Sequence, residues 1–124
     1  MEYKTFLKLS TMPIQNLRLA MNEVEMVILD TETTGLSAAD DAIIELGMVK
    51  LMYSKSLNRI TSIEDVISVY EEPQRPISEF VTRLTGITDE MVKDQHIDSA
   101  WVAEWLSNTP LIVAHNAQFD RPFF

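Results

Sequence analysis

The stretch Met26-Val27-Ile28-Leu29-Asp30-Thr31-Glu32-Thr33-Thr34-Gly35-Leu36 decides how the rest of the chain is read. Its first four residues form a continuous apolar run, the pattern of a central strand buried on both faces. Polar chemistry starts where that run ends. Side chains alternate across a strand, so Asp30 and Glu32, two apart, point to one face and can reach a common point just beyond the sheet edge. Two carboxylates held that close repel each other unless a cation neutralises them, and hard oxygen donors select Mg²⁺ or Mn²⁺ over softer metals. Gly35 permits a tight turn and close approach by a ligand. The hydroxyls of Thr33 and Thr34 and the backbone N–H groups around them can bond a phosphate or a sugar hydroxyl. By itself, Thr-Thr-Gly is only a turn.

Downstream, Ile44, Leu46 and Met48 alternate with Glu45, Gly47 and Val49, which predicts a second strand over residues 43–52 with one strongly apolar face. Residues 66–70 supply a third, and the polar segment 54–62 between them reads as a turn. After Glu72-Pro73 the period becomes helical. Ser78 can cap a short turn carrying Phe80, Val81 and Leu84, which Gly86 stops, and Thr88 can cap the next, with Asp89 and Glu90 in its first turn. Asp98 or Ser99 opens a third helical stretch in which Trp101 with Trp105, and Val102 with Leu106, stand four apart on one side. Both tryptophans read as core rather than ligand contacts. Leu111-Ile112-Val113-Ala114 is another short buried strand, and residues 115–124 look like a loop entering a helix. The sum is an α/β domain whose mixed sheet joins an antiparallel three-strand meander to a parallel return strand. Residues 1–24 show no clean period and read as an N-terminal extension, leaving one domain over residues 25–124.

The 124 residues are 46% hydrophobic, the length and apolar content of one globular domain. A net charge of −9 disfavours broad, non-specific adhesion to a phosphate backbone. It does not disfavour a nucleic-acid enzyme, because carboxylates holding divalent cations bring positive charge to the phosphate only where the metal sits. Without cysteine there is no disulfide framework, thiolate metal site or cysteine nucleophile, which suits a cytoplasmic location. The apolar runs are too short to span a bilayer, and the N-terminus shows no signal-peptide core, so no membrane is expected.

If the strand at residues 111–114 lies parallel beside the first, Asp120 can bring a third carboxylate to the point shared by Asp30 and Glu32. Phe119 can stack on a base or plug the core. At this level four segments carry a specific likeness: Asp30-Thr31-Glu32-Thr33-Thr34-Gly35-Leu36, Ile43-Ile44-Glu45-Leu46-Gly47, Leu84-Thr85-Gly86-Ile87-Thr88 and His115-Asn116-Ala117-Gln118-Phe119-Asp120. In this order they resemble the DnaQ-like (DEDD, of the DEDDh type) 3′-to-5′ exonucleases. The resemblance implies a ribonuclease H-like fold and phosphodiester hydrolysis with two divalent cations, Mg or Mn. It makes Asp30 the carboxylate shared between the metals, Glu32 a ligand of one and Asp120 a ligand of the other. Thr33, Thr34, Gly35 and Leu36 would cradle the terminal nucleotide, and His115 and Asn116 would shape the site, neither being the general base.

The family's third motif, a histidine followed by a fourth aspartate, does not occur up to Phe124. The likeness therefore covers the N-terminal portion of such a domain, and the sequence predicts an incomplete domain of weak or no activity. Such a chain would be prone to self-associate through an uncovered sheet. The implied substrate is a single-stranded DNA or RNA 3′ end, in proofreading of the DNA polymerase III epsilon kind, beside a polymerase, or in free-standing trimming. Two other classes stay open: a nucleotide-binding remnant without catalysis, and a protein-interaction module pairing through a free sheet edge. Glu45 reads either as a hydrogen-bonded structural residue or as a contact near the site. His96, Glu71-Glu72 and Asp40-Asp41 read as solvated groups.

Overall fold

The computed structural model describes residues 22–114. His115, Asn116, Phe119 and Asp120, with the extension before residue 22, lie outside the described residues. Within them the order is β1 (Glu23–Thr33), β2 (Ile43–Ser54), β3 (Arg59–Tyr70), α1 (Glu79–Thr85), α2 (Asp89–Val92), α3 (Ser99–Leu106) and β4 (Leu111–Ala114). The strands form one sheet in the order β3-β2-β1-β4. β1–β2 and β2–β3 are antiparallel, and β4 returns parallel to β1. This is the mixed sheet of a ribonuclease H-like fold, with the meander and the parallel return strand expected from the sequence.

One face of the sheet is packed. Val27 and Leu29 of β1 and Leu46 and Met48 of β2 are buried against Val102 of α3, with Ile97, Trp105 and Leu106 around them. A second cluster joins Ile44 to Ile77, Val81, Ile87 and Val92, so that α1 and α2 close the end of the sheet where Tyr70 sits. Helix ends follow local chemistry. Ser78 Oγ accepts from Val81 N, Thr88 Oγ1 accepts from Met91 N, and Asp98 Oδ1 accepts from Ala100 N and Trp101 N. Gly86 stops α1 at φ 77°, a left-handed conformation that costs a glycine nothing. The Lys50 ammonium lies 4.1 Å from the centre of the Trp105 ring and donates to Trp105 O at 2.8 Å, satisfying a carbonyl in the last turn of α3. Trp105 Nε1 donates to Asp65 Oδ2, which fastens the same helix to β3.

Several sequence expectations change. Residues 26–29 do form a central strand, but it is buried on one face only: Val27 is fully buried while Ile28 is 40% exposed. Among the described residues the helices pack on the Val27 face alone, and alternation turns Ile28 away from them. β4 is not buried either, since Leu111, Ile112 and Val113 are all exposed at the sheet margin, beside the strands that α3 covers. Trp101 is exposed rather than core, and only Trp105 is partly buried, because Val102 takes the central position of the α3 contact. β3 begins at Arg59, seven residues earlier than its apolar run. Backbone pairing with β2 carries the largely polar residues 59–65 along an exposed edge, where their two isoleucines, Ile60 and Ile63, stay exposed and hydrophobic pattern gives little signal. The turn is thereby reduced to residues 55–58, with Asn58 at φ 53°. No helix among the described residues is long and apolar enough to cross a membrane.

Candidate active site

Asp30 and Glu32 belong to β1 itself, which pairs with β2 as far as Thr33. Thr31 and Thr33, the residues between and after them, are buried on the packed face. Asp30 and Glu32 therefore share the opposite face, roughly 6–7 Å apart along the strand. Glu32 stands directly across from Glu45 of β2. Such cross-strand partners lie on the same face with Cβ atoms about 4.5–5.5 Å apart, and like charges there repel. Three carboxylates thus share one face, against which none of the described helices packs. Immediately beyond Glu32 the β1–β2 register shifts, Thr33 pairing with Ile43 so that Ile44 is the extra residue. A bulge of this kind bends the strand and re-aims side chains at its end.

Glu45 makes the structural hydrogen bond of one of its two sequence readings. Its Oε1 accepts from Ser68 Oγ at 2.7 Å, a structural bond to β3, and its register sets it opposite Glu32. The sequence could have paired the two glutamates only with the register in hand. The parallel pairing needed by the third carboxylate is present: Leu29 pairs with Ala114, so β4 ends beside the residue that precedes Asp30. Asp120 itself, with His115, Asn116 and Phe119, lies outside the described residues. Among the described residues no group of three or more His, Cys, Asp or Glu is arranged to hold a metal ion. The donor set that the patch does offer is carboxylate oxygen throughout, which favours a hard divalent cation over a softer one.

The turn after β1 is built by hydrogen bonds. Thr33 Oγ1 donates to Gly35 O, and Thr34 Oγ1 donates to Asp41 Oδ1 at 3.0 Å while accepting from Ala42 N. Ser37 N donates to Asp41 Oδ2. The close approach that Gly35 allows is made from within the chain: a Cβ there would stand 2.4 Å from Asp41 Oδ2. Leu36, by contrast, is 87% exposed at the tip. The Ser37 N–H first, with the Thr34 hydroxyl and Arg75 also contributing, holds the Asp41 carboxyl below its ordinary range. Asp41 and Glu71 are therefore not the solvated charges expected of them, while Glu72 stays exposed as expected but is bonded. Glu71 accepts from Ile97 N and bonds His96 Nδ1, and Glu72 accepts from Asp94 N, so both glutamates pin the loop before α3. A cleft of about 670 Å³ lies on the packed side, bounded by Ala42, Leu46, His96 and Val102. It includes neither Asp30 nor Glu32.

Sequence reasoning passed over Arg75 and read its partner Asp41 as a solvated charge. They are 34 positions apart, and nothing in the local pattern of either announces the other.

Comparison with known proteins bears on the whole arrangement. The family model described as Exonuclease (RNase_T) matches residues 27–124. Among curated proteins the chain is 43% identical over 103 residues to the PolC-type DNA polymerase III of Caldanaerobacter subterraneus subsp. tengcongensis, and 40% identical over 107 residues to that of Bacillus subtilis. These matches take in 82% and 83% of the chain but 7% of each relative's length. Among solved structures, exonuclease X in complex with 5′-overhanging duplex DNA superposes with a TM-score of 0.59 at 31% identity, covering 80% of this chain and 53% of that one. Escherichia coli exonuclease I bound to a dT13 oligonucleotide gives 0.62 at 17% identity over 81% of this chain and 22% of its own, a likeness of fold. With the motifs, the mixed sheet and the matched family model in agreement, the chain belongs to the DnaQ-like, DEDD-type 3′-to-5′ exonuclease family.

Proposed function

We propose that the chain contributes the metal-binding half of a 3′-to-5′ exonuclease site that removes nucleotides from a DNA end. The observation that carries this reading is the shared face of Asp30 and Glu32 at the end of β1, with β4 ending alongside. Asp30 and Glu32 would hold divalent Mg or Mn, with Asp120 as a third ligand. When bound, such ions generate hydroxide from water and stabilise the leaving oxygen. The chain's own residues would do the rest. Asp30 and Glu32 keep their carboxylates on one exposed face, the turn 33–36 receives the terminal nucleotide, and the exposed Leu36 offers its base an apolar surface. His115, Asn116 and Phe119 would shape the far side of the site. Likeness to PolC-type polymerases and to a DNA-bound exonuclease supports DNA over RNA, and a polymerase as neighbour. Residues 25–124 would be the exonuclease portion and residues 1–24 an extension to it, although its last two residues, Glu23 and Val24, already pair with β2 as the start of β1.

The test is digestion of a 5′-labelled single strand with Mn²⁺, read as a ladder. Slow shortening by single nucleotides from the 3′ end is expected, in keeping with the weak activity foreseen for an incomplete site, together with Mn²⁺ binding measured by titration. Asp30→Asn should reduce both by at least the ~10–100-fold that losing even an outer partner costs a metal site. Undiminished Mn²⁺ affinity in Asp30→Asn would remove the basis of the proposal.

A further inference from the structure

Leu36, at the tip of the nucleotide turn, projects into solvent, so among the described residues its side chain adds no packing to hold the turn's shape. The turn's conformation is fixed by hydrogen bonds that converge on one side chain. Asp41 Oδ1 accepts from Thr34 Oγ1 at 3.0 Å and from Arg75 Nη2 at 2.6 Å, and Oδ2 accepts from Ser37 N at 3.0 Å. The backbone closes the same loop, with Asp41 N donating to Ser37 O and Thr34 N to Ala42 O. The carboxylate also fills the space under Gly35 that any β-carbon would need. Arg75 completes the arrangement from a separate loop, its Nη2 bonding Asp40 O as well as Asp41.

We propose that Asp41 is a positioning residue that holds the Thr34-Gly35-Leu36-Ser37 turn in the shape that receives a nucleotide, anchored by Arg75. This rests on the exonuclease reading above. Asp41 touches no substrate in this assignment, and it acts through Thr34 and Ser37. It is separate from the metal ligands, because none of its hydrogen-bond partners is Asp30 or Glu32. Loss of the carboxylate leaves the Ser37 N–H and the Thr34 hydroxyl without their acceptor, and the turn is free to open. One Arg75 nitrogen makes both of its contacts, so a lysine ammonium can take its place where an alanine cannot.

The experiment measures affinity for thymidine 5′-monophosphate with Mn²⁺ present, and separately affinity for Mn²⁺, in the 124-residue chain and its variants. Asp41→Ala is expected to weaken nucleotide binding about tenfold, the worth of a hydrogen bond or two. Arg75→Ala should weaken it about threefold, as suits a largely exposed ion pair, with Arg75→Lys restoring it to within about twofold. Mn²⁺ affinity stays unchanged throughout. Gly35→Ala should weaken nucleotide binding in the unsubstituted chain and add nothing in the Asp41→Ala background, because the clash is with that carboxylate. If Asp41→Ala does not fold, the Arg75 variants decide. Unchanged nucleotide affinity in folded variants overturns the inference and leaves the exonuclease reading standing. Equal losses of nucleotide and metal affinity overturn it also, by marking general destabilisation. If the unsubstituted chain binds Mn²⁺ but no nucleotide, the nucleotide turn and this inference fall together.

Discussion

The two faces of the sheet are made from the same strands and do opposite work. On one, Val27, Leu29, Leu46 and Met48 are sealed under α3, and the polar groups nearby are tied down, Lys50 to Trp105 and Trp105 to Asp65. On the other, Ile28 is left partly exposed and three carboxylates share the face, Glu32 directly across from Glu45 and Asp30 two residues before Glu32. A packed face is stabilised by the volume it fills. A face carrying like charges gives up some stability and gains affinity for a cation. The contrast separates the face that holds the fold together from the face on which the proposed chemistry would sit, one residue apart along β1.

The comparison is most directly broken by removing side chains from each face in turn. Leu46→Ala should cost about 2–5 kcal/mol, since the side chain is almost wholly buried. Ile28→Ala should cost less than about 1.5 kcal/mol, because much of that side chain already meets water. Urea denaturation reads both, and equal losses would mean that the Ile28 face is as firmly packed as its opposite. A smaller effect sharpens the electrostatic half. Without divalent metal, Glu45→Gln should stabilise the chain by about 0.2–1 kcal/mol by relieving the charge opposite Glu32 while keeping an acceptor for Ser68. Saturating Mn²⁺ should erase that gain, and Asp30→Asn should weaken Mn²⁺ binding more than Glu45→Gln does. Comparable losses of Mn²⁺ affinity from the two would put the metal patch elsewhere.

The smallest effect concerns pH. The folded Asp41 carboxyl titrates below its ordinary value of 3.8, so it is more acidic folded than unfolded. Its contribution is therefore fully present above that value and is lost as pH falls through the lower, folded one. Amide exchange of Ser37 N–H should stay protected at pH 5 and lose protection only below pH 3.8, and Asp41→Asn should flatten that dependence. Protection lost already near neutral pH would show that the carboxylate does not hold the turn.

Much of this was legible before any coordinates. Ser78, Thr88 and Asp98 cap their helices because capping depends on a side chain and the backbone two or three residues on, a distance the sequence displays. The common face of Asp30 and Glu32 follows from the two-residue period of a strand. Strand alternation also named Ile44, Leu46 and Met48 as core, and the motif order named the family. What the sequence could not determine depends on partners distant along the chain. Whether residues 26–29 are covered on one face or two is settled by which elements pack there. That Glu32 faces Glu45 is a matter of register and of a bulge at Ile44. That Asp41 is a bonded hub rather than a solvated turn charge required Arg75, 34 residues away, to arrive beside it. Local rules act over a few residues and are written in the order of the chain, while burial, register and long-range pairing are properties of neighbours in space, which only the folded chain brings together.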